Sequence, residues 1–424
     1  MGRHIHRRAI AAAGAGLVAL APAAHAATAA TAASTATVAA TAETIDRKPA
    51  GTNDADDPAF WVHPSDPSKS LVIGTVKEAG VDVYRTDGSL VQAVPIPSGS
   101  RYNNIEVLYG INLGGTTRDL AVLSDRGTDR LHIFAINGAS ALAPLSEVTA
   151  SSAPLVFGGS KKVNSKTTYG LAGWRNRATG KGEVFVSQEN TTNLAKLVLT
   201  DAGGGKVSYQ KVASMSLPDR FTLPNGSTWK PCFNPKNPDW VAHAEGMVVD
   251  PDTGTLWADQ EIVGLWKMTT DLTNPVLVHK LTRFGQKYTV VSGKCKIDAS
   301  SPSYGESYLP GDLEGIGLYR AGTSPNGYLV ISNQQKSIFT VFSRDGSSYL
   351  GTLAIGGGAL DAVNATDGLD VINVDMGPKY PQGMLVTQDG KNAPEGGTNF
   401  KFTPWPSVAK AMGLVVDTAG TPRS

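Results

Sequence analysis

The sequence is poor in the residues that hold most metals and carry most nucleophilic chemistry. Among its 424 residues there are two Cys and seven His. No Cys-x-x-Cys, no His-Glu-x-x-His and no Cys/His cluster occurs, which argues against a zinc site of the usual kind. No Gly-x-Ser-x-Gly elbow and no Walker loop is present. Neither Cys is followed six residues later by Arg, and no Arg-His-Gly segment occurs, so covalent phosphatase mechanisms through Cys or His lack their motifs. An excess of one charge is missing too, 38 Lys+Arg standing against 37 Asp+Glu. A chain so balanced is not built for nonspecific phosphate-backbone binding, and no nucleic acid partner is expected. Long apolar runs are also lacking. The N-terminal one, residues 9–21, falls short of the ~20 residues a membrane span needs, and no membrane partner is expected. What is abundant is turn chemistry: 47 Gly and 25 Pro, in a chain that is 41% hydrophobic and able to fill a core. That combination points to many short strands.

Arg3, Arg7 and Arg8 precede the apolar run, and Ala24-His25-Ala26 closes it as a small-x-small cleavage site. Residues 1–26 read as a secretory signal peptide, with Arg7-Arg8 leaving a twin-arginine route open, and the protein is expected to be secreted. Loss of those three Arg leaves 35 bases against 37 acids. Residues 27–42 are an Ala/Thr-rich spacer expected to be disordered, and the folded domain is placed at residues 43–424.

A repeat organises that domain. Six short apolar runs rich in β-branched residues each end in a polar residue: Lys77, Arg126, Glu189, Glu261, Gln334 and Asp389. A second polar residue opens an apolar stretch 16 to 22 positions earlier: Asp57, Glu106, Tyr169, Glu245, Glu314 and Asp367. Such a gap fits two paired strands and a turn, which returns the chain to the end it left. Six units of this kind would expose sheet edges unless the arrangement closed. A single-domain, all-β, six-bladed β-propeller satisfies this and brings the twelve polar residues to one mouth. The pattern alone also admits seven blades or a pair of β-sandwiches.

Most of those residues are acids, with Asp56 and Asp312 beside them. Asp312 and Glu314, two apart on a strand, share a face. Carboxylates crowded together raise one another's pKa unless cations neutralise them. Oxygen donors without His or Cys suit calcium, with magnesium or manganese as lesser alternatives. Lys77, Arg126 and Tyr169 in the same ring provide for an anion, phosphate being the obvious one. A set of surface ion pairs explains any one of these residues, but not the constellation. His63, His132, His243 and His279 read as structural.

These residues carry a resemblance. The segments Asp54-Ala55-Asp56-Asp57-Pro58-Ala59-Phe60-Trp61-Val62-His63-Pro64, Asn103-Asn104-Ile105-Glu106, Glu245-Gly246-Met247, Asp312-Leu313-Glu314-Gly315, Asp367-Gly368-Leu369-Asp370, Gln388-Asp389-Gly390 and Asn399-Phe400-Lys401 resemble the β-propeller phytases over residues 54–405. The resemblance implies a six-bladed fold and a 3-phytase-type, calcium-dependent hydrolysis of phytate, presented free or as its calcium salt. It assigns Asp57, Glu245, Glu261, Asp312, Glu314 and Gln334 to a calcium cluster, with Asp56 in the same motif. It gives Lys77, Arg126 and Tyr169 phosphate contacts, and Asp361 and Asn392 a calcium that stabilises the fold. Two departures stand out: Glu189 replaces a Lys that grips a second phosphate, and Lys391 replaces an acidic calcium ligand.

The expected mechanism is direct attack on phosphorus by a water held by several calcium ions, with Lys77 and Arg126 offsetting charge and Glu261 in the clamp. Rival readings are a non-enzymatic calcium-stabilised propeller that binds a partner, and another calcium-dependent propeller hydrolase such as a lactonase, which wants a His beside the metal. Cys232 and Cys295 lie in two long connections and, in an exported chain, are expected to pair. A monomer is expected.

Overall fold

The computed structural model describes residues 1–2, 35–47, 55–158, 165–322, 325–394 and 396–420. The expected signal peptide falls almost wholly outside them, as does the first part of the spacer. Within Ser34–Ser424 the apolar runs become the second strands of six antiparallel sheets. Blade 1 is Ala55–Trp61, Leu71–Val76, Gly80–Arg85 and Leu90–Pro95. Blade 2 is Tyr102–Leu113, Thr116–Asp125, Arg130–Ile136 and Leu145–Glu147. Blade 3 is Thr168–Arg175, Gly182–Gln188, Asn193–Gly203 and Lys206–Ser216. Blade 4 is Ala244–Asp250, Thr255–Gln260, Gly264–Thr269 and Val276–Lys280. Blade 5 is Leu313–Arg320, Gly327–Asn333, Ile338–Ser343 and Tyr349–Ile355. Blade 6 holds Leu369–Ile372, Met384–Asp389 and Asn399–Pro404 from the C-terminal part of the chain. The first strands of the blades touch in ring order, and that of blade 6 meets that of blade 1. The chain is therefore a six-bladed β-propeller.

The runs are continuous rather than alternating because each second strand is covered on both faces by neighbouring blades. Leu71–Val76 and Met384–Asp389 are buried at every position. The apolar cores lie between sheets: Ile73, Val83, Val107 and Phe134 join blades 1 and 2, while Phe185, Met247, Leu256 and Trp266 join blades 3 and 4. Each fully buried Val, Ile, Leu or Phe contributes about 1.5–3 kcal/mol relative to exposure, so the blade interfaces dominate the fold's cohesion.

Residues 36–43 close the ring. Ala42–Glu43 pairs antiparallel with Asn399–Pro404 as the outer strand of blade 6, and Ala36–Val38 pairs in parallel with Tyr349–Ile355 of blade 5. The boundary expected at residue 43 is thus too late, and residues 36–42 are not a disordered spacer. Their ladder hydrogen bonds and the burial of Val38, Ala40 and Ala42 come from strands more than 300 residues away, which Ala/Thr-rich composition does not reveal. A helix, Trp405–Met412, follows blade 6, started by Pro406 in its first turn and stopped by Gly413 at φ 68°. Trp405 stacks on Tyr319 at 4.0 Å and fixes the helix against blades 5 and 6.

Two hairpins stand outside the blades, Phe221–Thr222 with Thr228–Trp229 and Tyr288–Val291 with Lys294–Ile297. The first packs into an apolar cluster of Leu223, Trp229 and Phe284, and a disulfide joins Cys232 to Cys295 as the sequence led one to expect.

Candidate active site

A bulge in the first strand decides which side chains reach the mouth. Pairing with the second strand slips between Ala55 and Pro58, Tyr102 and Ile105, Thr168 and Leu171, Ala244 and Met247, and Leu313 and Ile316. The bulge bends the strand and re-aims two residues. The matched positions are Asp56, Asn103, Tyr169, Glu245, Glu314 and Asp367, and the residues just past the second strands are Lys77, Arg126, Glu189, Glu261 and Gln334.

Glycines follow four of these side chains because the strands crowd the axis. A Cβ on Gly246 would lie 2.8 Å from Gly315 Cα, and one on Gly368 would lie 2.2 Å from Asp57 Oδ1. A hydroxyl two residues before the mouth residue stitches the blades together. Thr75, Ser124, Ser187 and Ser332 accept from the bulge amides of Asp57, Asn104, Gly170 and Gly315, and donate to the carbonyls of Asn103, Tyr169, Ala244 and Asp367 on the next blade. Asp259 holds that place in blade 4 and accepts from the Gly246 amide at 2.8 Å. Burial, with Glu245 close by, raises its pKa well above the usual carboxylate value. A Ser or Thr recurring two residues before the polar end was the signal for these bridges in the sequence.

Glu245, Glu261 and Glu314 converge, each offering an oxygen within 4.8 Å of the others. Glu245 accepts from Asn103 Nδ2 and from Tyr169 Oη, both at 3.0 Å. Burial first, then the charge of Glu245, pushes Glu261 and Glu314 well above the usual carboxylate range. Tyr169 is pushed up by burial and by Glu245, and so stays a donor. Lys77 Nζ lies 3.1 Å from Asp56 Oδ1 and 2.8 Å from Asp367 Oδ2. Burial works against its charge, but Asp367 and Asp56 hold it protonated, far above the lysine range. Asp56 itself is raised, because burial and the nearby Asp367 and Glu245 outweigh the lysine. Arg126 pairs with Glu189, donates to Asn103 Oδ1 at 3.2 Å and lies 4.7 Å over the Tyr169 ring. Gln334 donates to Asp367.

Three expected positions move. Asp57 accepts from the Ile105 amide at 3.1 Å and, with Glu106 and Asp370, lines the narrow central channel below the mouth. Asp389 faces the Asn364 amide instead. The bulge adds a residue to the first strand only, so a constant gap mis-registers Asp57 and Glu106, whereas Asp389 ends a second strand that pairs without a slip. Asp312 stands beside the triad, but its carboxylate is taken by Arg283 Nη2 at 3.0 Å and Gln335 Nε2 at 2.6 Å. Asp361 and Asn392 do come together, yet around Lys401 Nζ, which also meets Glu43 and Asp389 and is fully buried. The residues there do not fit a calcium ion, because an ammonium already takes the oxygens. Lys391 is exposed and its amide donates to Asp389.

His243, read as structural, reaches the site. Its Nε2 lies 2.7 Å from Glu261 Oε1, and its Nδ1 accepts from the Asn190 amide at 3.1 Å, which puts the ring proton on Nε2. The ring is closed in by Tyr169 at 4.3 Å and Phe233 at 5.1 Å, and burial lowers its pKa to about 4. His243 stands just before the strand Ala244–Asp250 that carries Glu245.

The fit to a divalent cation is good at the triad. Asp56, Glu189, Glu245, Glu261, Glu314 and Asp367 face Lys77 and Arg126, six carboxylates against two cations among the described residues. The donors are all oxygen, and Asp56 Oδ2 is a buried oxygen with no hydrogen-bond partner.

Six blades with an acidic triad ringed by Lys, Arg and Tyr define the class, a β-propeller built to handle phosphate esters. The phytase family model matches residues 6–221 and 237–423, and the chain belongs to that family. It is 29% identical over 377 residues to the 3-phytase of Bacillus subtilis (strain 168), which covers 87% of this chain and 84% of that one. Among solved structures it is similar to that of BBS1N in complex with ARL6DN, at 9% identity and a TM-score of 0.37, over 79% of this chain and 75% of the other. The family makes the protein a phosphoric monoester hydrolase. None of the described helices is long and apolar enough to cross a membrane.

Proposed function

We propose that the protein is a secreted, calcium-dependent phytase acting on myo-inositol hexakisphosphate. The observation that carries this is the convergence of Glu245, Glu261 and Glu314 beside Lys77 and Arg126. Glu245, Glu261 and Glu314 would hold the calcium, with Asp56 near. When bound, calcium polarises phosphoryl oxygens and lowers the pKa of water. Lys77 and Arg126 offset the negative charge that builds on the transferring phosphoryl group. The Tyr169 hydroxyl and the Asn103 amide hold both Glu245 oxygens, which fixes that carboxylate before substrate arrives. Nothing at the mouth calls for a covalent intermediate.

Without added cations six carboxylates would repel a polyanionic substrate, which favours a metal-bridged encounter over a bare one. A partner-binding propeller has no need of Lys77 and Arg126 among the acids. A lactonase-type hydrolase requires a free base, and His243 is none: its proton-accepting nitrogen, Nδ1, is already bonded to the Asn190 amide, and its Nε2 lies 2.7 Å from Glu261. Export is supported by the Cys232–Cys295 bridge. The test is phosphate release from phytate with excess calcium and with excess chelator. Release only with calcium supports the reading, and equal release under both conditions refutes it.

A further inference from the structure

The three triad carboxylates are not held alike. Glu245 is fixed at both oxygens, by Asn103 and Tyr169. Glu261 has no such pair. Among the described residues, the only basic nitrogen within ion-pair distance of its carboxylate is His243 Nε2, 2.7 Å from Oε1. His243 is buried, and its Nε2 has no other polar partner.

The imidazole is pinned from several directions. Its Nδ1 accepts from the Asn190 amide at 3.1 Å, and Asn190 aims that amide from a turn where it holds φ 59°, a left-handed conformation that Asn tolerates. Tyr169 and Phe233 meet the ring edge-on, at interplanar angles of 81° and 85°. Phe233 follows Cys232, whose disulfide to Cys295 ties down the wall of a cleft adjoining the mouth, where Arg283 pairs with Asp312. An amide donor on Nδ1 leaves the ring proton on Nε2, and that N–H has a single acceptor within reach. The two main chains are joined as well, the Glu261 amide donating to the His243 carbonyl at 3.0 Å. Only the side-chain contact depends on the imidazole.

We infer that His243 is a positioning residue for Glu261: its Nε2–H holds that carboxylate in the orientation in which it meets a divalent cation at the triad. This role rests on the calcium reading of the triad and deepens it. One turn then serves both halves of the site. Glu189 pairs with Arg126, which faces the phosphoryl group, and the next amide, that of Asn190, sets His243 and through it Glu261. Without the imidazole, Glu261 keeps its charge and its place on the backbone but loses its orientation. Cation affinity falls, while turnover of the fully loaded enzyme is kept.

The experiment is isothermal titration of calcium into the metal-free protein, with phytate turnover followed across a calcium series. The proteins are the wild type, Glu261→Gln, His243→Phe, His243→Gln and His243→Phe/Glu261→Gln. Phenylalanine keeps the ring and its aromatic packing and removes both nitrogens, whereas glutamine restores a donor near the Nε2 position. The calcium-binding step lost in Glu261→Gln should weaken about tenfold in His243→Phe and return to within about threefold of the wild type in His243→Gln. Half-maximal turnover of His243→Phe should need about tenfold more calcium, with kcat at saturating calcium kept within about twofold. In the Glu261→Gln background, His243→Phe should change turnover by less than about twofold, because the two residues act as a unit. Should His243→Phe fail to fold by circular dichroism, His243→Met takes its place. An unchanged calcium affinity in His243→Phe, a His243→Gln protein no better than His243→Phe, or full additivity with Glu261→Gln overturns the positioning role. A Glu261→Gln protein that titrates like the wild type defeats the calcium reading of the triad itself, and the positioning role with it.

Discussion

Replacing Lys401 with Met removes the positive centre of the ring closure. The ammonium is fully buried and joins Glu43 of the N-terminal outer strand to Asp361, Asp389 and Asn392 of the last blade, with Asn392 Oδ1 at 2.8 Å and Asp389 Oδ2 at 3.3 Å. Burial opposes its charge, but hydrogen bonds to Asp361 and Glu43, with the charge of Asp389, raise its pKa above the lysine range. Methionine keeps most of the stem's volume and leaves three carboxylates facing one another. Breaking a buried ionic cluster from one side costs about 3–5 kcal/mol. Over the roughly 390 residues of Ser34–Ser424, an unfolding entropy near 2.1 cal/mol/K per residue turns that into a fall of about 4–6 °C in Tm. Calorimetry in excess chelator should show the drop. The orphaned oxygens form a set that suits calcium, so millimolar calcium should restore Tm more in Lys401→Met than in Lys401→Met/Asp361→Asn. A Lys401→Met protein that melts within a degree of the wild type in chelator refutes the view that this ammonium locks the closure.

Three other outcomes follow from the same geometry. His132 lies 3.1 Å from Asp125 and 2.7 Å from Glu147; burial lowers its pKa, but the two acids raise it to about 9. Its folded pKa exceeds the unfolded value near 6.5, so its contribution, up to about 3 kcal/mol, is complete below pH 6.5 and lost as pH rises through 9. Melting curves of wild type and His132→Gln should therefore converge between pH 7 and 10, and a gap independent of pH over that range would show the pair to be inert. Glu261→Gln should weaken calcium binding, read by isothermal titration, and cut phytate turnover by at least about tenfold, with the fold kept by circular dichroism. Arg126→Ala should leave calcium affinity near wild type while lowering kcat about a hundredfold, since it removes a cation facing the phosphoryl group rather than a ligand; equal losses in both would place Arg126 in the metal site.

What was legible in the sequence was periodicity enforced by burial. Leu71–Val76 and Gly327–Asn333 lie between blades, so each carries an apolar run, Leu71-Val72-Ile73 and Leu329-Val330-Ile331, and the polar residues that follow mark where the chain leaves the core. That favours a closed propeller of six blades over its rivals, brings Lys77, Arg126, Tyr169, Glu245, Glu261 and Glu314 to one mouth, and supports a phosphate-directed reading. A bulge, in contrast, changes register without changing composition. Asp56 and Asp57 are chemically identical neighbours, and only the slip between Ala55 and Pro58 sends the first to the mouth and the second into the channel. Asn103 rather than Glu106 stands at the mouth of blade 2 for the same reason. Roles that depend on distant partners were not legible either. His243 gains its place from the Asn190 amide on blade 3, Lys401 from a strand at the other end of the chain, and Asp312 turns from the triad because Arg283 waits in the adjoining cleft. The pattern has a physical basis. Which residues cluster at the mouth follows from strand lengths, and strand lengths leave a mark on the sequence. Which oxygens remain open to a cation follows from whether another donor has already claimed them, and that is settled only when the blades meet.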